Sequence, residues 1–224
     1  MINVWPQVEE LADTIIRKFD GYETEQLAPE YEHITDDFTW KNYLWTSSNF
    51  RRAHIEIVDA TKNHKMWVMH MCIFPHYDSP DPIFGFDVVC GKNKITGAFH
   101  DFSYVGNSYL YDWYQDKMSR VEWNKPRELP PWAKAIFSPN MVAAGNIQTQ
   151  EELDQLVQTV IDNLDYYLYN IGTVDKWTHH FEAQNNYCRN QKQNPHTPAM
   201  MINFGIEKQV FMKFMDDVLF PEKI

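Results

Sequence analysis

Three neighbouring apolar segments decide the fold: FRRAHIEIVDA at residues 50–60, KMWVMHMCIF at residues 65–74 and FGFDVVC at residues 84–90. The first segment alternates apolar and polar positions with the period of two that is typical of a β-strand. Because side chains two apart share a face, Arg52, His54 and Glu56 point the same way. After Lys65 the second segment is apolar except for His70, and the third segment is apolar except for Asp87. Three successive strands with ionisable side chains predict one sheet whose face carries acid–base chemistry.

The connections between these segments are short and polar. TKNHK follows the first segment, PHYDSPDP the second and GKNK the third, after which ITGAFHDF at residues 95–102 reads as a fourth strand. Connections of this length join antiparallel neighbours, since a parallel crossover needs a dozen residues or more. The middle of the chain is therefore predicted to be an antiparallel sheet.

The rest of the chain is mostly helical in pattern. Thr149 and Glu152 form a T-x-x-E capping box before the longest predicted helix, and Trp177 lies in the helix that follows it. AKAIFSPNMV at residues 133–142 reads as a last strand. Helices flanking a sheet from one sequence block predict a single α+β domain over residues 1–224, a three-layer α/β/α sandwich. The predicted helices cover residues 6–20, 107–120, 150–171, 174–193 and 205–219.

Composition excludes several classes of protein. The net charge of −11 and the lack of a Lys/Arg cluster argue against nucleic-acid binding. Three widely spaced cysteines without a C-x-x-C pair argue against a zinc ribbon or a bound iron–sulfur cluster and fit free thiols in a reducing cytoplasm. No apolar run approaches the roughly 20 residues that cross a bilayer. We expect a cytoplasmic protein that does not enter the membrane.

The ionisable side chains allow several kinds of site. Asp87 lies between apolar residues, so we expect a buried carboxyl whose raised pKa suits a proton donor. His54 and His70, taken singly, could be core histidines, and Glu56 could pair with Arg52 on a solvated edge. The two histidines and two carboxylates could also bind a metal, although no dense ligand motif such as H-E-x-x-H is present.

The sequence resembles the ferredoxin-dependent bilin reductases, especially the phycocyanobilin:ferredoxin oxidoreductase branch. AHIEIV, MHMCIFP, PIFGFDVVCG and PRELPPW carry the resemblance, which extends to NYCRNQKQN and KFMDDVLF near the C-terminus. It implies an α/β/α sandwich that binds biliverdin IXα between the sheet and the C-terminal helices. It also implies electrons from a reduced [2Fe–2S] ferredoxin and no bound metal or flavin.

The resemblance assigns roles to the ionisable side chains of the three strands. Asp87 matches the family's central proton-donating aspartate, and Glu56 matches the glutamate near the vinyl-bearing D ring. His70 matches the histidine beside the lactam oxygens, and His54 matches a histidine that supports this network. These four residues are the catalytic candidates.

Three further residues are substrate-binding candidates by resemblance. Thr96 and Arg127 match positions that contact the bilin propionates, and a guanidinium suits bidentate binding of a carboxylate. Pro195 stands where the branch usually has an aspartate, so water, His196 or Asp87 is left to protonate the A ring.

The resemblance also implies a product. The short N-terminus looks like the compact viral offshoot of the branch, which implies four-electron reduction of biliverdin to phycoerythrobilin through 15,16-dihydrobiliverdin. Glu56 favours the alternative product, phycocyanobilin. A non-catalytic bilin carrier, related to chromophore lyases, is the alternative from another class. We expect a monomer with ferredoxin and biliverdin as its partners.

Overall fold

The computed structural model describes residues 2–173 and 180–223 of the chain. The helices are α1 (Trp5–Arg17), α2 (Tyr109–Met118), α3 (Pro131–Lys134), α4 (Gln150–Asn170), α5 (Phe181–Gln191), α6 (His196–Asn203) and α7 (Lys208–Phe214), and a π-helical turn (Met215–Leu219) follows α7. The strands are β1 (Glu23–Thr24), β2 (His33–Ile34), β3 (Thr39–Thr46), β4 (Phe50–Ala60), β5 (Met66–Pro75), β6 (Ile83–Gly91), β7 (Lys94–Ser103) and β8 (Val142–Ile147).

The strands form one antiparallel sheet. Its order is β1-β3-β4-β5-β6-β7-β8, and the short β2 pairs with β3. From β3 to β7 every strand pairs with its neighbour in sequence, as short connections require. The predicted central antiparallel sheet is confirmed.

Helices cover both faces of the sheet. On one face Ile55, Met69 and Phe86 pack with residues of α1, α2 and α4 in one hydrophobic cluster. On the other face Trp40 and Cys72 pack with residues of α5, α6, α7 and the π-helical turn in a second cluster. Because strand side chains alternate between faces, the two clusters share the same strands without mixing. The α+β fold with three layers is confirmed, and we call the second face the C-terminal face.

The start of α4 follows the predicted signal in part. The Thr149 hydroxyl accepts a hydrogen bond from the Glu152 main-chain N–H at 3.3 Å, which caps the helix. The Glu152 carboxylate does not close the capping box, because it accepts the Asn124 main-chain N–H at 3.0 Å. The N-terminus of α4 is therefore tied to the segment between α2 and α3.

Several predicted elements are wrong in position. AKAIFSPNMV is not a strand: the consecutive prolines before it start α3, and β8 begins only at Val142. The predicted helix 205–219 begins at Lys208 and ends in the π-helical turn, and α6 precedes it unpredicted. Of the predicted helix 174–193, α5 covers residues 181–191, and Trp177 lies outside the described residues. No helix in the described ranges is long and apolar enough to cross a membrane.

Candidate active site

Three of the four catalytic candidates lie side by side across the C-terminal face. In the antiparallel register Glu56 of β4 is opposite His70 of β5, and His70 is opposite Asp87 of β6. Directly opposed side chains on one face of a sheet have Cβ atoms about 4.5–5.5 Å apart, so neighbours in this row interact. We call these three residues the catalytic row.

His70 and Asp87 form a short ion pair within the row. His70 Nδ1 lies 2.7 Å from Asp87 Oδ1, and the two side chains are 10% and 37% exposed. Burial alone would lower the pKa of His70, but the adjacent Asp87 carboxylate raises it well above the ordinary value. His70 is then an imidazolium whose Nδ1–H donates to Asp87. Its Nε2–H is buried and has no partner among the described residues.

Glu56 is the buried carboxyl of the row. It is 2% exposed, and its Oε1 accepts the indole N–H of Trp40 at 2.7 Å. Burial raises the pKa of Glu56 to about 7, against the opposing effects of His70 and the Trp40 hydrogen bond. The alternative of an ion pair with Arg52 is wrong, because Arg52 donates instead to the Asp217 main-chain oxygen. Glu56 can therefore hold or release a proton near neutral pH.

His54 lies beside the row, two residues from Glu56 on β4. It is completely buried, and burial, then the nearby His70 and Arg52, lowers its pKa well below the ordinary value. Its Nε2 lies 2.9 Å from Asn42 Oδ1, while Asn42 Nδ2 donates to the Tyr31 main-chain oxygen at 2.6 Å. Since that second bond orients the amide, His54 is neutral with its proton on Nε2. Its Nδ1 is a buried acceptor without a partner among the described residues.

Asp87 is less buried than the sequence pattern predicts. The neighbours that suggested burial, Phe86 and Val88, are completely buried, but they point to the opposite face of the sheet. Asp87 faces the C-terminal side, where its side chain is 37% exposed. The carboxyl that burial brings to a pKa of about 7 is Glu56. Asp87 is instead the accessible end of the row, hydrogen-bonded to His70 and open to a ligand.

The two histidines leave complementary atoms for a ligand. The His54 and His70 ring centroids are 6.3 Å apart, and the unpaired atoms are the His54 Nδ1 acceptor and the His70 Nε2–H donor. Unpaired buried polar atoms are rare and mark places where a ligand or solvent atom belongs. Within the described ranges no three His, Cys, Asp or Glu side chains are grouped to hold a metal. The geometry suits a hydrogen-bonding organic ligand.

Aromatic side chains that the sequence did not single out surround the histidines. Phe214 meets His54 edge-on with centroids 5.7 Å apart, and Phe220 meets His70 in the same way at 5.6 Å. Tyr187 of α5 places its hydroxyl 3.4 Å from where a Cβ on Gly85 would lie. Tyr187 belongs to α5 and Phe214 ends α7, and Phe220 directly follows the π-helical turn. π-helical turns occur frequently at functional sites.

Arg127 lies over the same face beyond Asp87, toward the edge strand. A Cβ on Gly97 would lie 2.7 Å from Arg127 Nη1, and a Cβ on Gly145 would lie 3.0 Å from Arg127 Cγ. The two glycines therefore make room for the guanidinium, which lies 5.6 Å from the Phe99 ring centroid. Arg127 also lines a cavity of about 480 Å³ between the end of α2 and the loop before β8.

The other two substrate-binding candidates lie apart from the row. Val89 pairs with Gly97 whereas Cys90 pairs with Ile95, so Thr96 is the extra residue of a β-bulge. Its hydroxyl donates to the Val89 main-chain oxygen at 2.8 Å, close in sequence to the glycine under Arg127. His196 is exposed at the start of α6, and no contact among the described residues joins it to the row.

Comparisons with known proteins agree on one family. A family model described as ferredoxin-dependent bilin reductase matches residues 11–221. Two proteins named phycocyanobilin:ferredoxin oxidoreductase, from two strains of Prochlorococcus marinus, are 29% and 26% identical to the chain. The matches cover 86% and 87% of this chain and 83% and 84% of those proteins.

Solved structures share the fold. A protein named PcyX superposes with a TM-score of 0.68 at 24% identity, over 97% of this chain and 99% of the other. Phytochromobilin synthase from tomato, solved in complex with biliverdin, superposes with a TM-score of 0.71 at 13% identity, over 97% and 82% of the two chains. With the family model spanning nearly the whole chain, these results identify the protein as a member of the ferredoxin-dependent bilin reductases, a family of oxidoreductases.

Proposed function

We propose that this protein reduces biliverdin IXα by four electrons to phycoerythrobilin, through 15,16-dihydrobiliverdin, with reduced [2Fe–2S] ferredoxin as the electron donor. Family membership supports the electron donor and the bilin substrate. The catalytic row is the observation that carries the proposal: two carboxyls flank an imidazolium in direct register on one face. A protein that only bound a pigment would have no need of three adjacent proton-holding groups.

The row supplies protons while ferredoxin supplies electrons. Each single electron makes the tetrapyrrole more basic, and a positioned acid then donates a proton to it. His70 holds one proton at Nε2, directed away from Asp87, and Glu56 holds another with a pKa of about 7. Reduction of one double bond consumes two electrons and two protons, so two double bonds consume four of each, through bilin radicals. Asp87 is the member of the row that a bound bilin reaches most easily, and it can pass on to the bilin the proton that it accepts from His70 Nδ1.

Arg127 and Thr96 are proposed to bind the propionates. The guanidinium over Gly97 presents a planar fork at the open side of the face, and a carboxylate there would accept two hydrogen bonds. The bulge residue Thr96 lies next to Gly97 in sequence. His196 is kept as a candidate for the A-ring end, where Pro195 replaces the aspartate usual in the branch.

Phycocyanobilin is the second candidate product. The buried, protonatable Glu56 favours it, because a proton donor at the D-ring vinyl group suits that product. The named relatives from Prochlorococcus also carry phycocyanobilin in their names. Both products require the same row and differ in which double bonds are reduced.

The experiment is anaerobic turnover of biliverdin with reduced ferredoxin, followed by absorbance and resolved by chromatography. We expect transient 15,16-dihydrobiliverdin and then phycoerythrobilin. Phycocyanobilin as the main product would support the second candidate. Tight binding of biliverdin without any reduction would refute the proposal in favour of a carrier. The expectations of one domain over residues 1–224, of a monomer and of a cytoplasmic location stay predictions.

A further inference from the structure

Strand β3 contributes two polar side chains to the site, although the catalytic row lies on β4, β5 and β6. Trp40 is opposite Val58, but its indole reaches Glu56; Asn42 is opposite Glu56, but its amide reaches His54. Both contacts have the same diagonal offset of two residues along β4, a reach that cross-strand neighbours in antiparallel sheets commonly have. Because the contact is repeated, β3 is a fourth strand that contributes side chains to the site, beside β4, β5 and β6.

We propose that Trp40 is a positioning residue: its indole N–H fixes one oxygen of the Glu56 carboxylate and keeps this carboxyl able to release its proton. The proposal deepens the proposed function, since it concerns proton supply to the bilin, but it can be tested on the ligand-free protein. An indole N–H only donates hydrogen bonds. It therefore stabilises the carboxylate and opposes the burial that would otherwise keep the acid protonated.

The packing around Trp40 holds its donor in place. The side chain is completely buried, with its ring edge-on to Phe214 at 4.8 Å and tilted against Phe211 at 6.0 Å. Both phenylalanines belong to α7. Because the ring cannot turn without displacing them, the 2.7 Å bond to Glu56 is a fixed part of the site.

Two other ionisable groups act on Glu56, and more lie on the elements packed around it. His70 is next to it on β5, and its effect on the pKa of Glu56 is in the same direction as that of Trp40. The Asp87 carboxylate, one position further along the row, acts in the opposite direction. On α7 and the π-helical turn, Lys213 and Asp217 pair with each other and with the Tyr31 hydroxyl. On β4 itself, Arg52 and His54 lie on the same face as Glu56.

The test compares Trp40→Phe with Trp67→Phe. Trp67 is 2% exposed and packs on the opposite face, so its replacement removes an equal volume from the core without touching Glu56. Carbon-13 NMR of glutamate labelled at the carboxyl carbon, with Glu56→Gln to assign the signal, gives the pKa of Glu56 in the ligand-free protein. We expect Trp40→Phe to raise it by about 1 to 2 pH units, the effect of one hydrogen bond to a charged group. An unchanged pKa, or an equal rise in Trp67→Phe, overturns the proposal.

A second measurement leaves the indole in place, in case Trp40→Phe does not fold. The Trp40 indole N–H signal should move through the pH range in which Glu56 titrates, and Glu56→Gln should abolish that movement. An indole N–H signal that does not change as Glu56 titrates refutes the proposal. In turnover, the alkaline limb of the pH profile of kcat should move to higher pH in Trp40→Phe. It should not move in Trp67→Phe. If the wild-type protein reduces no bilin, the proposed function fails while the ligand-free measurements still decide the role of Trp40.

Discussion

Replacement of Glu56 by glutamine should stabilise the protein at alkaline pH. Glu56 is buried, and its pKa in the folded protein is raised from 4.5 to about 7. The folded protein thus binds this proton more tightly than the unfolded chain does. The stability that the folded protein gains from this tighter proton binding at Glu56 is fully present below pH 4.5, and it is lost as the pH rises through about 7. Glutamine resembles the protonated acid at every pH, and its amide oxygen can still accept the Trp40 N–H.

The size of the effect follows from the pKa change. A rise from 4.5 to about 7 corresponds to about 3 kcal/mol at roughly 1.4 kcal/mol per pH unit. The variant and the wild type should therefore have similar free energies of unfolding near pH 4.5. Near pH 8 the variant should be more stable by about 3 kcal/mol. His70, whose pKa is also raised, adds its own loss of stability with rising pH to both proteins.

The assay is equilibrium urea unfolding of both proteins at half-unit steps from pH 4.5 to 8. Glu10→Gln is the matched control, since it removes the same charge from an exposed position on α1. A difference between Glu56→Gln and the wild type that is constant across this range would refute the reasoning. So would a variant that loses stability, relative to the wild type, as the pH rises.

Three further variants test the rest of the site. Asp87→Asn should still bind biliverdin, but its turnover by absorbance should fall by about 10² to 10⁴-fold, the usual effect of losing a general acid, and full turnover would point to another proton source. Arg127→Gln should weaken biliverdin binding in absorbance titrations by about 10 to 100-fold, whereas the control Arg120→Gln, an exposed arginine whose ion pair with Asp116 lies at the surface, should not. Gly97→Ala should weaken binding in the wild type, because the new Cβ lies 2.7 Å from Arg127 Nη1. It should have no further effect in Arg127→Gln, and an equal loss there would show that the guanidinium is not responsible.

The sequence was informative wherever local pattern decides structure. Alternation on one strand placed His54 and Glu56 on one face, and short polar connections made the strands antiparallel neighbours. Antiparallel pairing then brought His70 and Asp87 into register with Glu56. Likewise the Thr149 cap marked the start of α4. These features depend on residues close in sequence, which explains why they could be predicted.

Features set by packing between distant segments were not predictable. Trp40 and Glu56 are 16 residues apart in sequence, and Phe220, which contacts His70, lies near the C-terminus. A period-two pattern does not tell which face of a strand is covered, so the sequence predicted a more buried Asp87 and missed the burial of Glu56. The strand predicted at residues 133–142 failed because Ser138 and Pro139 interrupt that segment before β8 begins.

The structure of the protein with biliverdin bound is the most direct test of the central claim, which is that the catalytic row delivers protons to a bilin on the C-terminal face. The tetrapyrrole should lie over β5 and β6, with one of its polar atoms within hydrogen-bonding distance of His70 Nε2 or the Asp87 carboxylate. Its propionates should point toward Arg127. A bilin bound elsewhere, or one whose pyrroles contact none of Glu56, His70 and Asp87, would contradict it.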